Sequence, residues 1–303
     1  MEELSSAEQL KTPTAPVFFE AQALNKKNPP TSQEDRIITG SLNEEEAAEL
    51  ASSAPEAILK ECFEHLDAQA EVSSKQVGST LSVCLVKGNE VTFAHVGDSP
   101  GYLVILNENN EVESFELLYD SLHHVRDKGE QERIQKISGF GIGPVNGGGK
   151  FLRRGDGADG FGLEPTRVIG DWQLKAAAIV TPAIKKVVVP PGKKAFVLLA
   201  SDGLHSQSHN HVKVEGMLKR TLKQIKNANP DCTTQTLLTE LPGFLTRNAQ
   251  DYYNGDSKDD CSVVITPIEP ESTITKVLGV ADGHGGSEVS QMIAENFLPT
   301  LKN

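Results

Sequence analysis

Short apolar runs bounded by aspartate constrain the fold of this chain more than any other feature. VTFAHVGD stops at Asp98, AFVLLASDG at Asp202 and KVLGVADG at Asp282. In SKDDCSVVIT the order is reversed, since Asp259 and Asp260 precede the apolar run. Short apolar runs of this kind, rich in valine and bounded by glycine or aspartate, are typical of buried β-strands. An antiparallel arrangement of these strands would bring all the carboxylates to one edge of a sandwich.

Helical patterns lie around these strands. Residues 41–70 carry alanine, leucine and glutamate at helical spacing, and Pro55 predicts a division into two helices, the second beginning near Ser53 or Pro55. Further helices are predicted at 124–139, at 211–228, at 233–249 with a break at Pro242, and from Ser287 to about Leu298. The glycine-rich segment 140–165 predicts an extended loop or an irregular hairpin.

The pattern as a whole favours an α+β fold, with an antiparallel β-sandwich flanked by helices. A chain of 303 residues is long enough for one large domain. We therefore expect a single domain over 1–303, in which residues 1–16 form a loose N-terminal tail.

Composition excludes several classes of partner. The formal net charge of −13 argues against nucleic acid or an anionic membrane surface. No apolar run approaches the length of a membrane span, and MEELSSAEQL lacks the basic and apolar regions of a signal peptide. These features predict a cytoplasmic or nuclear protein. The scattered cysteines indicate neither a zinc site nor a disulfide framework.

The aspartates at the strand ends point to a hard divalent cation. Carboxylates held side by side at the rim of a buried sheet cannot all ionise without compensating positive charge. Mg²⁺ and Mn²⁺ bind such oxygen ligands, and no histidine or cysteine set of the zinc type is present. A single Asp-Gly pair is most often only a turn, so the hypothesis depends on several of them occurring together.

Several motifs in the chain match those of one known family. They are VLGVADGHGG (277–286), VGSTLSVCL (77–85), AHVGDS (94–99), TRVIGDWQLK (166–175), LASDGL (199–204) and SKDDCSVV (257–264). Together they resemble the metal-dependent protein serine/threonine phosphatases, the PPM or protein phosphatase 2C family. The resemblance extends over nearly the whole chain after residue 30 and implies a four-layer α/β/β/α sandwich.

The same resemblance implies a binuclear Mg²⁺ or Mn²⁺ centre. Asp282 would bridge the two ions, Asp202 and Asp259 would hold one of them, and the carbonyl of Gly283 would help to hold the other. A water activated by these ions would attack the phosphorus directly, without a phosphoenzyme. The implied substrates are proteins that carry phosphoserine or phosphothreonine.

Three further residues take roles in the resemblance. His284 would protonate the leaving alkoxide, although a histidine bonded to the backbone of a turn is the alternative. SQEDRIITG (32–40) resembles the Glu-Asp element of the family, which makes Glu34 a metal ligand and Asp35 a catalytic residue that orients it. An exposed turn is the competing interpretation of this element.

The order of the motifs departs from the family pattern. The Asp-Gly-His-Gly-Gly segment normally follows the Glu-Asp element, whereas here it lies at 282–286, near the C-terminus. Moving residues 272–303 to a position between Gly40 and Ser41 would restore the usual order. We therefore expect permuted connectivity within a monomer, and a domain-swapped dimer would satisfy the same sequence.

Other departures affect the predicted chemistry. Pro30 stands where the family has a phosphate-binding arginine, and Pro100 follows Gly-Asp-Ser in place of arginine. Ser206 replaces an acidic residue that, with Asp98, would hold a weak third ion. These changes motivate an alternative function, a catalytically impaired pseudophosphatase that acts as a protein-binding regulatory module. A hydrolase of small phosphate esters is a weaker third possibility.

Overall fold

The computed structural model describes residues 16–23, 33–52, 55–71, 76–146, 149–157, 160–205, 211–252 and 259–302. The helices in these ranges are α1 (Glu44–Ser52), α2 (Pro55–Ala70), α3 (Lys128–Ile134), α4 (His211–Ala228), α5 (Thr234–Tyr252) and α6 (Glu288–Leu301), with a short 3-10 helix at Asp202–Leu204. The predicted tail, residues 1–16, falls almost wholly outside the described ranges.

The strands account for most of the remaining chain. They are β1 (Phe19–Ala23), β2 (Arg36–Leu42), β3 (Gly78–Ser79), β4 (Leu81–Lys87), β5 (Glu90–Val96), β6 (Gly101–Leu106), β7 (Val112–Leu117), β8 (Phe140–Gly143), β9 (Phe151–Arg154), β10 (Ile169–Gly170), β11 (Ala183–Val188), β12 (Lys194–Ala200), β13 (Cys261–Pro267), β14 (Thr275–Ala281) and β15 (Gly283–His284).

Two five-stranded antiparallel sheets form the centre of the fold. Their strand orders are β1-β13-β12-β6-β7 and β11-β5-β4-β14-β2. Strand β14, which lies near the C-terminus of the chain, is inserted between β4 and β2 and pairs with both. The predicted α+β fold with an antiparallel sandwich is confirmed.

The central strands of both sheets are buried on both faces. In β4, Val83 and Leu85 pack in the cluster that α2 and α6 cover, whereas Cys84 and Val86 lie in the cluster between the sheets. Because successive side chains of a strand point to opposite faces, an uninterrupted apolar run is what a doubly covered strand requires. Strand β12 alternates in the same way between the inter-sheet layer and α4 with α5. The result is a layer of helices on each side of the sandwich.

The predicted division of 41–70 into two helices is confirmed. Pro55 is the first residue of α2, a position where the missing N–H costs no helical hydrogen bond. The buried face of α2 includes Leu59, Cys62, Phe63 and Leu66. Their spacing of three and four residues places them on one side of the helix, against α6 and the sheet.

The predicted helix over 124–139 is wrong in extent, because α3 spans only Lys128–Ile134. Asp127 is the N-cap of this helix, and its own backbone is extended. Its side chain accepts a hydrogen bond from the backbone N of Glu130, which fixes where the helix begins. After Ile134 the chain continues in turns that reach Gly139, at a φ of 83°.

The predicted break at Pro242 is also wrong, because α5 runs unbroken from Thr234 to Tyr252. Leu241 and Leu245 are fully buried on either side of the proline. A proline removes one helical hydrogen bond, and tertiary packing of the apolar face on both sides outweighs that loss.

Two smaller sheets lie beside the sandwich. Strands β8 and β9 form a two-stranded antiparallel hairpin within 140–165, which confirms the irregular hairpin of the two predicted alternatives. Strands β10, β3 and β15 form a three-stranded sheet in that order. Within the described ranges, none of the helices combines the length and the apolar character that a membrane crossing needs.

Candidate active site

Strand ends in the first central sheet carry acidic residues to one edge of the sandwich. Strand β12 ends at Ala200, shortly before Asp202, and β13 begins directly after Asp259 and Asp260. The two strands pair in antiparallel register, with Ala200 opposite Val263. The end of one strand and the start of the other therefore lie at the same edge.

The second central sheet repeats this arrangement. Strand β14 ends at Ala281, directly before Asp282, and its partner β2 begins at Arg36, directly after Glu34 and Asp35. Ala281 pairs with Arg36. The Glu-Asp element and the Asp-Gly-His-Gly-Gly segment are thus adjacent in space although they lie far apart in the sequence.

These segments meet at a cleft of about 230 Å³. Its acidic lining residues are Glu34, Asp98, Glu164, Asp202, Asp259 and Asp282. Thr80, Gly283, His284 and the segment 162–165 complete the lining, and no lysine or arginine of the described ranges contributes to it. Every residue predicted as a metal ligand is therefore in one cleft, together with the predicted general acid, whereas Asp35 is not part of its surface.

The carboxyl groups of the cleft oppose one another's ionisation. Burial raises the pKa of Asp202 and of Asp282 well above the ordinary value, and the negative charges of neighbouring carboxylates raise both further. Burial is also the main reason that the pKa of Asp98 rises to about 6. It raises the pKa of Glu34 as well, with a further contribution from Asp260. Full ionisation of this set calls for a positive counter-charge.

The chemistry of the donor set fits a hard divalent cation. Oδ1 of Asp202 is buried and has no hydrogen-bond partner in the described part of the chain. A Cβ atom at Gly283 would lie 2.6 Å from the carbonyl oxygen of Glu34, so only glycine permits these two segments to come so close. Carboxylate and carbonyl oxygens are the ligands that Mg²⁺ and Mn²⁺ prefer.

Among the described residues, no group of three or more acidic, histidine or cysteine side chains forms a ready metal site. The backbone N of Asp202 lies 3.4 Å from Oδ2 of Asp282, which is the direct hydrogen bond between two of the predicted ligand residues.

Asp35 lies behind the cleft. Its side chain is 1% exposed and is hydrogen-bonded to the side chains of Ser201 and Ser262. Burial raises its pKa to about 7. The backbone N of the preceding Glu34 donates to Oδ2 of Asp260 at 3.1 Å, so the Glu-Asp element is fixed to the start of β13.

The imidazole of His284 is bonded to the side chain of another residue. Its Nε2 lies 2.5 Å from Oδ2 of Asp171. Burial by itself lowers the pKa of His284, but the carboxylates of Asp171, Asp98 and Glu34 outweigh it, and the net shift is upward. The imidazole therefore holds its proton more firmly than a free histidine does, as an acid that acts near neutral pH needs to.

A family model described as Protein phosphatase 2C matches residues 8–240. The chain belongs to the protein phosphatase 2C family. The match ends before the segment that supplies Asp259, Asp282 and His284. The assignment of these three residues to the site therefore depends on the cleft geometry and on the motifs quoted above.

Curated members of the family are distant relatives. Probable protein phosphatase 2C 21 of Oryza sativa subsp. japonica is 28% identical over 163 residues, which are 51% of this chain and 42% of the relative. The integrin-linked kinase-associated serine/threonine phosphatase 2C of Bos taurus is 30% identical over 153 residues, 48% of this chain and 37% of the relative. The matched part of the chain thus spans less than half the length of either relative.

Solved structures show the same fold. A serine-threonine phosphatase 2C from Toxoplasma gondii superposes with a TM-score of 0.55 at 16% identity, over 85% of this chain and 98% of that one. A structure described as a C. elegans sex determining protein gives a TM-score of 0.61 at 22% identity, over 85% of this chain and 66% of that one. At such identities the likeness concerns the fold alone.

Three residues in or beside the cleft were not predicted from the sequence. Glu164 lines the cleft from the hairpin segment, where a glycine-rich stretch gave no signal for it. Thr80 lies in the Gly-Ser-Thr motif and Asp171 in the Thr-Arg-x-x-Gly-Asp motif, and both motifs were matched without a role for these side chains. The contact between Asp171 and His284 joins residues 113 positions apart, which no local pattern reveals.

Two of the three predicted departures, Pro30 and Ser206, lie outside the described residues. The third, Pro100, is buried, and its carbonyl accepts a hydrogen bond from the N of Ala200 at 3.1 Å. This position is therefore part of the contact between the start of β6 and the end of β12.

Proposed function

We propose that this chain is a Mg²⁺- or Mn²⁺-dependent protein phosphatase that removes phosphate from serine and threonine side chains. One observation carries the proposal: the cleft is lined by carboxylates and by no lysine or arginine of the described ranges. A phosphomonoester is itself an anion at neutral pH, so such a cleft would repel it unless cations reverse the local charge. Bound divalent ions provide that charge and also activate a water molecule.

The residues that would hold two ions are those of the predicted set. Asp282, Asp202 and Asp259 supply carboxylates, Gly283 supplies its carbonyl, and Glu34 supplies a carboxylate from the other side of the cleft. Asp98 is available for a weak third ion. The carboxylate of Glu164 lies in the same cleft, close enough to raise the pKa of Asp98. The buried, unpartnered oxygen of Asp202 supports this assignment.

The remaining predicted residues would act on the substrate or on the ligands. When the phosphorus–oxygen bond breaks, the leaving serine or threonine oxygen takes a proton from His284 and departs as an alcohol. Asp35, held by Ser201 and Ser262, would keep the Glu34 segment in place from behind. The products are inorganic phosphate and the free hydroxyl group.

We further propose that the connectivity is a permutation of the family order. Strand β14 pairs with β2 along its full length, with Thr275 opposite Leu42. The C-terminal end of β2 therefore lies beside the start of β14, where the family order would join the two segments directly. The family match, which stops at residue 240, is consistent with a motif that has moved. A swap of this segment between two chains would satisfy the same contacts, and we favour a monomer.

The proposed partners are proteins that carry phosphoserine or phosphothreonine. Neither nucleic acid nor an anionic membrane surface suits an acidic cleft in a chain with a net charge of −13.

Hydrolysis of a phosphothreonine peptide tests the proposal. Turnover with Mn²⁺, its loss in EDTA and its loss in Asp282→Asn are the expected results, with circular dichroism as the check on folding. Calorimetric titration with Mn²⁺ decides the alternative: a folded protein that binds no Mn²⁺ and turns over no substrate would be a pseudophosphatase.

A further inference from the structure

The three-stranded sheet brings three separate motifs together around His284. Its central strand, β3, comes from the Gly-Ser-Thr motif, and it pairs with β15 on one side and β10 on the other. Gly78 lies opposite His284 in one pairing and opposite Gly170 in the other. The histidine and the end of the Thr-Arg-x-x-Gly-Asp motif are therefore held at a fixed separation across a single glycine.

Asp171 continues from β10 into that space. Its side chain is fully buried, its φ is 51°, and its backbone N donates to the carbonyl of Val77 at 3.1 Å. Oδ2 meets Nε2 of His284 at 2.5 Å, and Oδ1 has no hydrogen-bond partner among the described residues. A Cβ at Gly78 would lie 1.8 Å from Oδ2 of Asp171, so this close approach requires glycine there.

The loop that carries Asp171 is fixed from the other side as well. Oδ1 of Asp67, on α2, accepts hydrogen bonds from the N of Gly170 at 2.9 Å and from Nζ of Lys175 at 2.5 Å. Lys175 also donates to the carbonyl of Gly170 at 3.2 Å. None of these contacts involves a residue that would bind a metal ion.

We propose that Asp171 is a positioning residue for the leaving-group proton, an inference that rests on the proposed function. The carboxylate accepts the Nε2–H of His284 and so fixes both the ring orientation and the tautomer. Nδ1 is then the nitrogen that faces substrate, on a side chain with 26% of its surface open. When the phosphorus–oxygen bond breaks, the N–H at Nδ1 gives its proton to the leaving oxygen, and Asp171 keeps the Nε2 proton in place.

The selective variant is Asp171→Asn. Asparagine has nearly the same size and tolerates a positive φ, so the loop should stay folded. The alkoxide of a phosphothreonine peptide needs a proton to leave, whereas p-nitrophenolate is a good leaving group without one. We expect kcat for the peptide to fall by about 10–100-fold with KM unchanged, and kcat for p-nitrophenyl phosphate to stay close to wild type.

Two further variants separate positioning from folding. Asp67→Asn weakens the support of the same loop but keeps the Asp171 carboxylate, so it should show a smaller loss that is again confined to the peptide. Asp171→Gly accepts the positive φ and removes the carboxylate, so it should show the same selective loss as Asp171→Asn. Equal losses for both substrates in the two Asp171 variants, or no loss for either, would overturn the proposal.

A spectroscopic readout keeps this inference distinct from the proposed function. Imidazole ¹⁵N shifts, assigned with His284→Gln and recorded with Mg²⁺ above the titration of the ring, report the tautomer without any substrate. We expect the Nε2–H form in wild type and a mixture in Asp171→Asn. A wild-type ring already in mixed or Nδ1–H form contradicts the inference even in an active enzyme. A protein that hydrolyses neither substrate contradicts the proposed function, whereas the shifts still decide the contact.

Discussion

The cleft has one wall around His284 and Asp171 and another around Asp202 and Asp282. The two differ in how far contacts within the protein satisfy their polar groups. On one wall, His284 has a buried carboxylate partner in Asp171 and a three-stranded sheet that sets the distance between them. On the other, Asp202 and Asp282 have strongly raised pKa values, and an oxygen of Asp202 has no partner among the described residues. Contacts within the polypeptide therefore complete the wall around His284, here called the proton-donor wall after its proposed role. The wall around Asp202 and Asp282, the carboxylate wall, opposes its own ionisation through burial and mutual repulsion.

The energetic reason lies in what each wall buries. A histidine beside a carboxylate is a pair of opposite charges once the ring is protonated, and the attraction offsets part of the cost of burial. Carboxylates that face one another add repulsion to that cost. The repulsion within the carboxylate wall is what the proposed ion binding would relieve, and the predictions below separate the two walls.

The largest effect is expected from Asp282→Asn. This change removes a carboxylate that would touch both ions, and the activation of water together with the cationic charge in the cleft is lost with it. Turnover of the phosphothreonine peptide and of p-nitrophenyl phosphate should both fall by about 10⁴-fold, since several kcal/mol of stabilisation correspond to that factor.

Thermal melts provide the control for this variant. In EDTA, Asp282→Asn should melt above wild type, because it removes one of the repelling charges, and added Mn²⁺ should raise the melting temperature of wild type alone. A variant that retains activity, or that melts lower than wild type in EDTA, would break the comparison between the walls.

A smaller and selective loss is expected for His284→Gln. A general acid contributes about 10²–10⁴-fold, and the need for it depends on the leaving group. Peptide turnover should fall by roughly 10²-fold or more, p-nitrophenyl phosphate turnover should change little, and Mn²⁺ affinity by calorimetry should stay unchanged. Equal losses for the two substrates would place His284 in ion binding or folding.

Sequence alone predicted much of the carboxylate wall. The predicted ligands come from strand ends, and antiparallel pairing of apolar runs brings strand ends to one edge whatever the loops do. Asp98, Asp202 and Asp282 therefore follow from the pattern of the strands. Their position at one edge follows from the fold class, and the motifs added the expectation that the ions are Mg²⁺ or Mn²⁺.

The proton-donor wall was not predictable in the same way. Its contact depends on two-residue strands and on a positive φ at Asp171, and neither leaves a periodic signal in the sequence. The misjudged helices have a related cause. Packing on both sides of Pro242 outweighed the local preference against proline, and the cap at Asp127 shortened α3.

The next prediction uses the pKa of Asp35 in metal-free protein. Its folded value of about 7 exceeds the unfolded value of about 4, so the folded state binds the extra proton between these limits. Stability is therefore greatest below pH 4 as far as this group is concerned, and it falls as pH rises toward 7. In EDTA, the unfolding free energy of wild type minus that of Asp35→Asn should fall by about 3 kcal/mol from pH 5 to pH 8.

Urea denaturation at each pH measures this difference. Titratable groups that do not interact with Asp35 are common to both proteins and cancel in the subtraction. A difference that stays flat or rises with pH would show that Asp35 is ionised in the folded protein without help from a cation, against the view of the carboxylate wall given above.

The smallest effect is expected from Gly78→Ala, which acts on the proton-donor wall alone. The new Cβ would lie 1.8 Å from Oδ2 of Asp171 and 2.7 Å from Nε2 of His284, so one of the two must move. Overpacking of this kind costs about 1–3 kcal/mol. Peptide turnover should fall by roughly 10-fold, the equivalent of about 1.4 kcal/mol, while Mn²⁺ affinity is retained.

Gly141→Ala is the matched control, because no atom lies within 4 Å of a Cβ at Gly141. It should leave turnover and melting temperature as in wild type. If Gly78→Ala lowers Mn²⁺ affinity as much as peptide turnover, the small sheet also sets the position of Gly283 as a ligand, because β3 pairs with that residue too. The positions of the residues in the two walls would then be coupled through β3. The walls would differ only in the charges that they carry, and not in how they are held.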